Sequence, residues 1–318
     1  MLPSSGVPLL IVILCGLQAW CLLLLIRPCV RGTTLTAVAW WGVAAAVGQA
    51  ANGVRLLAAG TPPSETVNQA WLYAAATLTT CPHMAILGAK RPQDRGWQFI
   101  VLSLWIVLIL PACEAAFLWR GGVFELQGAR SWFLLVLVGL QWINYAATRF
   151  WLSAWLALAG HWYLLKPHLP LVRAESTSGD PAIGALLGLL ALLVAWRTLR
   201  AAGEVSEPAA AGEGASHEAS PATIQTALET RWIRFRDLYG AMWALRAIER
   251  VNSTGHLAGW QTSLGWSGFQ WPAGAETLQQ ELPAVARTMQ AVLRRFLEEE
   301  VNSSPLKTRP THREPGPT

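Results

Sequence analysis

From Val7 to Ile26 the chain reads VPLLIVILCGLQAWCLLLLI, with no charge until Arg27. About 20 predominantly apolar residues is the length that crosses the hydrocarbon core of a bilayer as a helix. No lysine or arginine precedes this run and no small-residue cleavage site follows it, so it reads as a retained helix rather than a signal peptide. Runs of the same kind recur at 34–53, 68–88, 97–119 and 181–196. The stretch 131–165 has no proline and, as one helix, would measure ~52 Å against a core of ~30 Å. Fitting it whole would need a tilt of roughly 55°, beyond the usual range of up to ~40°. A turn at NYAATR, Asn144 to Arg149, divides it into 131–146 and 149–165. The expected fold class is therefore an all-α polytopic membrane protein. Its helical transmembrane bundle would have seven spans (7–26, 34–53, 68–88, 97–119, 131–146, 149–165, 181–196), or six if 131–165 stays whole, followed by a small, mainly helical cytoplasmic tail.

Composition supports a membrane location. Hydrophobic residues make up 53% and charged residues 14%, against a usual ~25% charged. Residues 1–200 hold 13 Lys/Arg and 6 Asp/Glu, and 13 of the 18 tryptophans. That tryptophan share suits rings anchored at membrane interfaces. The basic residues lie in short loops between apolar runs, which argues for topology rather than nucleic-acid binding. Seven spans place Arg27, Arg31, Lys90, Arg91, Arg95, Arg149, Arg197 and Arg200 on one side. Arg55, Arg120, Arg130, Lys166 and Arg173 fall on the other. The excess favours an N-terminus outside and a cytoplasmic C-terminal tail, as in a multi-pass inner-membrane protein.

Polar side chains at membrane depth are costly and are the default site candidates. Topology sorts them into two groups. Gln49, Asn52, Glu114 and His161 fall in the outer half and form a candidate polar pocket, in which a carboxylate near an imidazole would move a proton or bind a cation. Thr79, Pro82 and His83 fall in the inner half. Pro82 has no N–H, so the carbonyl of Leu78 loses its helix partner and the segment should kink. Cys81 and His83, two apart, do not share a helix face, so Cys-Pro-His is no nucleophile–base pair. Structural histidine, pocket residue and heme or metal ligand all remain open for His83, although the sorting separates it from His161. The five cysteines form no C-x-x-C pair, and nucleotide-loop, zinc-protease and nucleophile-elbow motifs are absent. No catalytic residue, metal or cofactor is assigned.

Residues 201–221 are small and acidic and read as a flexible linker. In 222–300 a stripe of Ile224, Leu228, Trp232, Phe235, Tyr239, Met242, Leu245 and Ile248 predicts an amphipathic helix ending near Asn252–Gly255. Around Trp260–Gly274 a short aromatic strand or hairpin follows. A second helix is expected from about Leu282 to Glu300, with Leu282, Val285, Met289, Val292 and Phe296 on one face. The end, 301–318, reads as disordered. The favoured function is a structural or accessory subunit whose partners are the bilayer and a protein, or a second copy, docked through 222–300. The alternatives are a transporter or channel component using the outer pocket, and an intramembrane enzyme or heme-handling protein.

Overall fold

A computed structural model describes residues 6–59, 65–90, 94–117, 126, 128–170, 177, 179–204 and 220–296. α1 (Gly6–Trp20) passes through a π-helical turn (Cys21–Ile26) into α2 (Arg27–Val30). Then come α3 (Leu35–Ala58), α4 (Glu65–Leu78), α5 (Cys81–Leu87) and α6 (Asp94–Phe117). α7 (Gly128–Ala146), α8 (Trp151–Leu165) and α9 (Asp180–Glu204) complete a packed helical bundle. α1 lies against α3 and α9, α8 against α7 and α9, and α4 against α6.

The expectation of seven membrane spans is overturned. Among the described residues, three helices are long and apolar enough to cross a membrane: Gly6–Val30, Arg95–Ala116 and Asp180–Ala201. The others fail for separate physical reasons. α3 is long enough, but Gln49, Asn52 and two tryptophans dilute its apolar character, and Arg130, Gln141 and Asn144 do the same in α7. The segment 68–88 is broken at Thr79–Thr80 into helices of 14 and 7 residues, and α8 has only 15. These shorter helices pack against one another and against the apolar three. On α6, Phe99 is 71% and Val107 59% exposed, a surface suited to hydrocarbon.

Close packing is clearest where α8 meets α9. A Cβ on Gly160 would lie 3.1 Å from the carbonyl of Gly184, and one on Gly184 would lie 3.1 Å from the carbonyl of Gly160. Only the missing side chains allow this approach, as at small-residue crossings between membrane helices.

The C-terminal elements are α10 (Pro221–Ala258), β1 (Ser263–Leu264), β2 (Phe269–Gln270) and α11 (Ala275–Leu293), with a 3-10 turn over Arg294–Phe296. β1 and β2 form an antiparallel pair, Ser263 opposite Gln270. α10 outruns the expected stop and ends at Gly259, which takes the left-handed conformation. α11 starts before the expected Leu282, so Pro283 sits inside it. The expected linker and end lie largely outside the described residues, at 205–219 and 297–318.

One hydrophobic cluster joins the two parts of the chain. Val30, Leu35, Ala39, Ile86 and Ala89 of the bundle pack with Trp232, Phe235, Tyr239, Trp243, Met289 and Phe296. Polar contacts set the orientation. Trp243 Nε1 donates to the carbonyl of Ile86 at 2.8 Å, and the Tyr145 hydroxyl donates to that of Leu238 at 3.0 Å. Thr34 Oγ1 donates to the carbonyl of Ala89 at 2.7 Å, while the Tyr239 hydroxyl donates to that of Phe296 at 2.8 Å. Asp237, buried, pairs with Arg236 at 2.9 Å and Arg149 at 3.3 Å.

α10 is not straight. At Gly240 (φ 74°, ψ −175°) the helix breaks, and Asn144 bridges the break. Its Oδ1 accepts from the N–H of Met242 at 2.9 Å, and its Nδ2 donates to the carbonyl of Tyr239 at 3.4 Å. The break re-phases the apolar stripe. Leu228, Trp232, Phe235 and Tyr239 are buried as expected, but beyond Gly240 the buried set is Trp243, Ala244, Ala247 and Val251. Leu245, which a continuous helix would bury, is 58% exposed.

Candidate functional site

The bundle holds a partly open cavity of about 320 Å³. α3 faces it from Leu35 to Gln49 and α9 from Gly184 to Leu199, so it extends ~20 Å along the helix axes at 1.5 Å per residue. Alanine, glycine and leucine make up much of its wall. The described lining residues include no Asp, Glu, Lys or Arg. Its polar groups are Gln18, Gln49, Thr79, His83, Gln141 and His161, with Ser153 and Tyr145 nearer the tail.

The break between α4 and α5 shapes this wall. Pro82 has no N–H, so the carbonyl of Leu78 loses its helix partner and the helix is weakened at this point. The chain tightens into a turn in which Thr79 N–H donates to Ala76 O at 3.1 Å and Thr80 N–H to Thr77 O at 3.0 Å. Helix resumes at Cys81, with His83 N–H donating to Thr80 O at 3.1 Å. The carbonyl of Thr79, passed over by His83, lies 3.3 Å from Nε2 of His161. Nδ1 of His161 lies 2.7 Å from the carbonyl of Ala157 and 3.5 Å from Nε2 of Gln141. A neutral imidazole has one N–H and can serve one of the two carbonyls, and Ala157 is the nearer.

His83 and His161 therefore meet. Their ring centroids are 5.6 Å apart at 82°, an edge-to-face contact, which corrects the assignment of the two histidines to opposite halves of the bilayer. The contact also counts against a heme bound between them, because two axial imidazoles need the macrocycle between their rings. No group of three or more His, Cys, Asp or Glu suited to a metal occurs among the described residues.

The expected outer pocket divides. Gln49 and His161 line the cavity. Asn52 is one turn beyond; its Oδ1 accepts from Arg55 at 3.1 and 3.2 Å, and Arg55 also donates to Asn68. Glu114 is exposed on α6 and does not line the cavity. Of the kink residues, Thr79, Pro82 and His83 line the cavity, whereas Cys81 is fully buried and does not. Gln18 and Gln141 also line the cavity, and each is a lone polar residue within an apolar run, the same signal that marks Gln49.

Several cavity groups lack partners. Gln49 Nε2, Gln141 Oε1 and His83 Nδ1 are buried atoms without a hydrogen bond, and the two glutamines are each 6% exposed. A buried polar group left unpaired costs about 1–3 kcal/mol. By contrast Gln18 donates to Ala185 O, and Ser153 to Ala191 O at 2.8 Å.

A packed helical bundle carrying three apolar helices defines a membrane-associated protein. No family model, no curated protein and no solved structure matches the chain.

Proposed function

We propose that this protein binds a neutral, single-chain amphiphile within its helical bundle. The observation that carries the reading is the long cavity with unpaired polar atoms and no charged side chain in its described lining. About 320 Å³ falls at the small end of small-molecule pockets, ~300–1,000 Å³. Its length suits an extended alkyl or isoprenoid chain. Gln49 Nε2 offers a donor and Gln141 Oε1 an acceptor, so the head must both accept and donate: a hydroxyl, a primary amide or a protonated acid. A charged head would enter a low-dielectric wall with no counter-charge, which is expensive.

The test is thermal unfolding in mild detergent with a monoacylglycerol, a fatty amide, or a quaternary-ammonium analogue of equal chain length. The neutral pair should raise the melting temperature and the charged analogue should not. Ala46→Phe, which fills the cavity, should abolish the shift, and Gln49→Leu with Gln141→Leu should reduce it. Equal shifts in wild type and Ala46→Phe would overturn the reading.

The C-terminal elements belong on the cytoplasmic side in this proposal, supported by Lys90, Arg149, Arg246 and Arg250 at their end of the bundle. A protein dock on 222–300 has less behind it. Trp232, Phe235, Tyr239 and Trp243, the strongest anchors for a partner, are already buried within the chain.

A further inference from the structure

Lys90 ends the segment after α5, five residues ahead of the apolar helix Arg95–Ala116. Three arginines stand near it. Arg246 lies with its guanidinium 5.0 Å over the ring of Trp243, whose Nε1 is bonded to Ile86, four residues before Lys90. The same indole meets Phe296 at 5.1 Å, which brings its neighbour Arg295 to this end of the bundle. Arg250 lies one turn along α10 from Arg246, on the same face. The side chains of Arg246, Arg250 and Arg295 are all exposed.

Among the described residues, none of the four cations has a carboxylate within salt-bridge distance, whereas Arg149 and Arg236 of the neighbouring surface share Asp237. Their mutual repulsion registers at Lys90. Burial first, then the charges of Arg295, Arg246 and Arg250, hold its ammonium below the ordinary lysine value. Four cations gathered with no salt-bridged acid among the described residues are the arrangement that a phosphate relieves, through charge-assisted bonds from guanidinium and ammonium groups.

We infer that Lys90, Arg246, Arg250 and Arg295 form a binding site for the phosphate of an anionic membrane lipid. The commitment to a lipid rests on position. Lys90 is within a few residues of a helix suited to the bilayer. The site lies outside the apolar cavity and does not depend on what fills it, since none of the four residues lines that space.

The test uses the full chain in nanodiscs of phosphatidylcholine with a minor share of phosphatidylglycerol. After transfer to nonionic detergent, the lipids retained are counted by mass spectrometry. Wild type should retain phosphatidylglycerol in preference to phosphatidylcholine, and the preference should fall as salt is raised. Arg250→Gln with Arg295→Gln should lower it roughly twenty-five-fold, at about fivefold for each cation at a membrane surface. Both positions are exposed, so the pair should melt with wild type in lipid-free detergent; if it does not, Lys90→Gln alone provides the comparison, with a loss of about fivefold expected. An unchanged preference in the variants overturns the site. Inorganic phosphate is the second arm. If it stabilises wild type and phosphatidylglycerol adds nothing, the anion is a free one and the lipid assignment falls.

Discussion

Gly240→Ala should be among the most damaging single-methyl changes in this chain. The backbone at Gly240, with φ 74° and ψ −175°, lies in a region open essentially to glycine alone, where another residue costs about 1–3 kcal/mol. A Cβ there would also stand 2.3 Å from Asn144 Nδ2 and 2.6 Å from the backbone carbonyl of Asn144. The carbonyl belongs to α7 and cannot swing aside as a side chain could. Overpacking of this kind adds about 1–3 kcal/mol, and displacing Asn144 endangers its bonds to Tyr239 and Met242. The total is roughly 2–6 kcal/mol, a large part of the ~5–15 kcal/mol that holds a typical domain. Gly259→Ala supplies the control. Gly259 has a similar φ of 72° but nothing within 4 Å of a Cβ, so it should lose only about 1–2 kcal/mol. Thermal unfolding in mild detergent measures both, and limited proteolysis within α10 reports whether the C-terminal elements have come away. Equal losses for the two variants would refute the steric part of the reasoning, and a wild-type melting point for Gly240→Ala would refute all of it.

Glu281 accepts from Thr262 Oγ1 at 2.6 Å and from the N–H groups of Gln261 and Thr262 at 2.7 and 3.0 Å. Burial pushes its carboxyl up, but these bonds outweigh burial and hold it below its ordinary value of 4.5. Its contribution is complete above that value and is lost as pH falls through the lower folded value. Glu281→Gln should therefore cost about 1–3 kcal/mol near neutrality, and unfolding curves for variant and wild type should converge in acid. Gly184→Val would place Cβ 2.7 Å from Leu164 Cγ at the α8–α9 crossing; a loss of about 1–3 kcal/mol is expected by thermal unfolding. Trp243→Phe removes the indole donor from the Ile86 carbonyl, which keeps the N–H of Ala89, and should cost about 0.5–1.5 kcal/mol, with faster hydrogen exchange in α10.

Apolar content was legible in the sequence, and helix continuity was not. The stretch 131–165 was resolved by length, and the structure breaks it at Ala146–Trp151, where NYAATR stands. The same reasoning treated 68–88 as one kinked helix because a missing N–H at Pro82 demands only a bend. What converts a bend into a break is that Thr77, Thr79 and Thr80 all turn their hydroxyls onto backbone carbonyls three residues back, a local competition with helix bonding. In the tail, the stripe from Leu228 to Tyr239 was read correctly. It failed past Gly240 because a glycine inside a periodic pattern carries no label for the break it permits, and Asn144, the residue that fixes this break, lies on a different helix.

The site was half legible for a related reason. Gln49 and His161 were singled out because a polar side chain in an apolar run needs an explanation, and both line the cavity. The error was in depth. Placing His83 near one face and His161 near the other assumes that every helix begins at one interface and ends at the other. α8 has 15 residues, ~22 Å, so it does not span the core from face to face. His161 and His83 meet in spite of that count, with ring centroids 5.6 Å apart. Counting from the nearest helix end puts residues in order along a helix but does not give depth when the helix is shorter than the bilayer. Asn52, three residues past Gln49 on α3, is held away from the pair by its own partners, since Arg55 donates both to it and to Asn68.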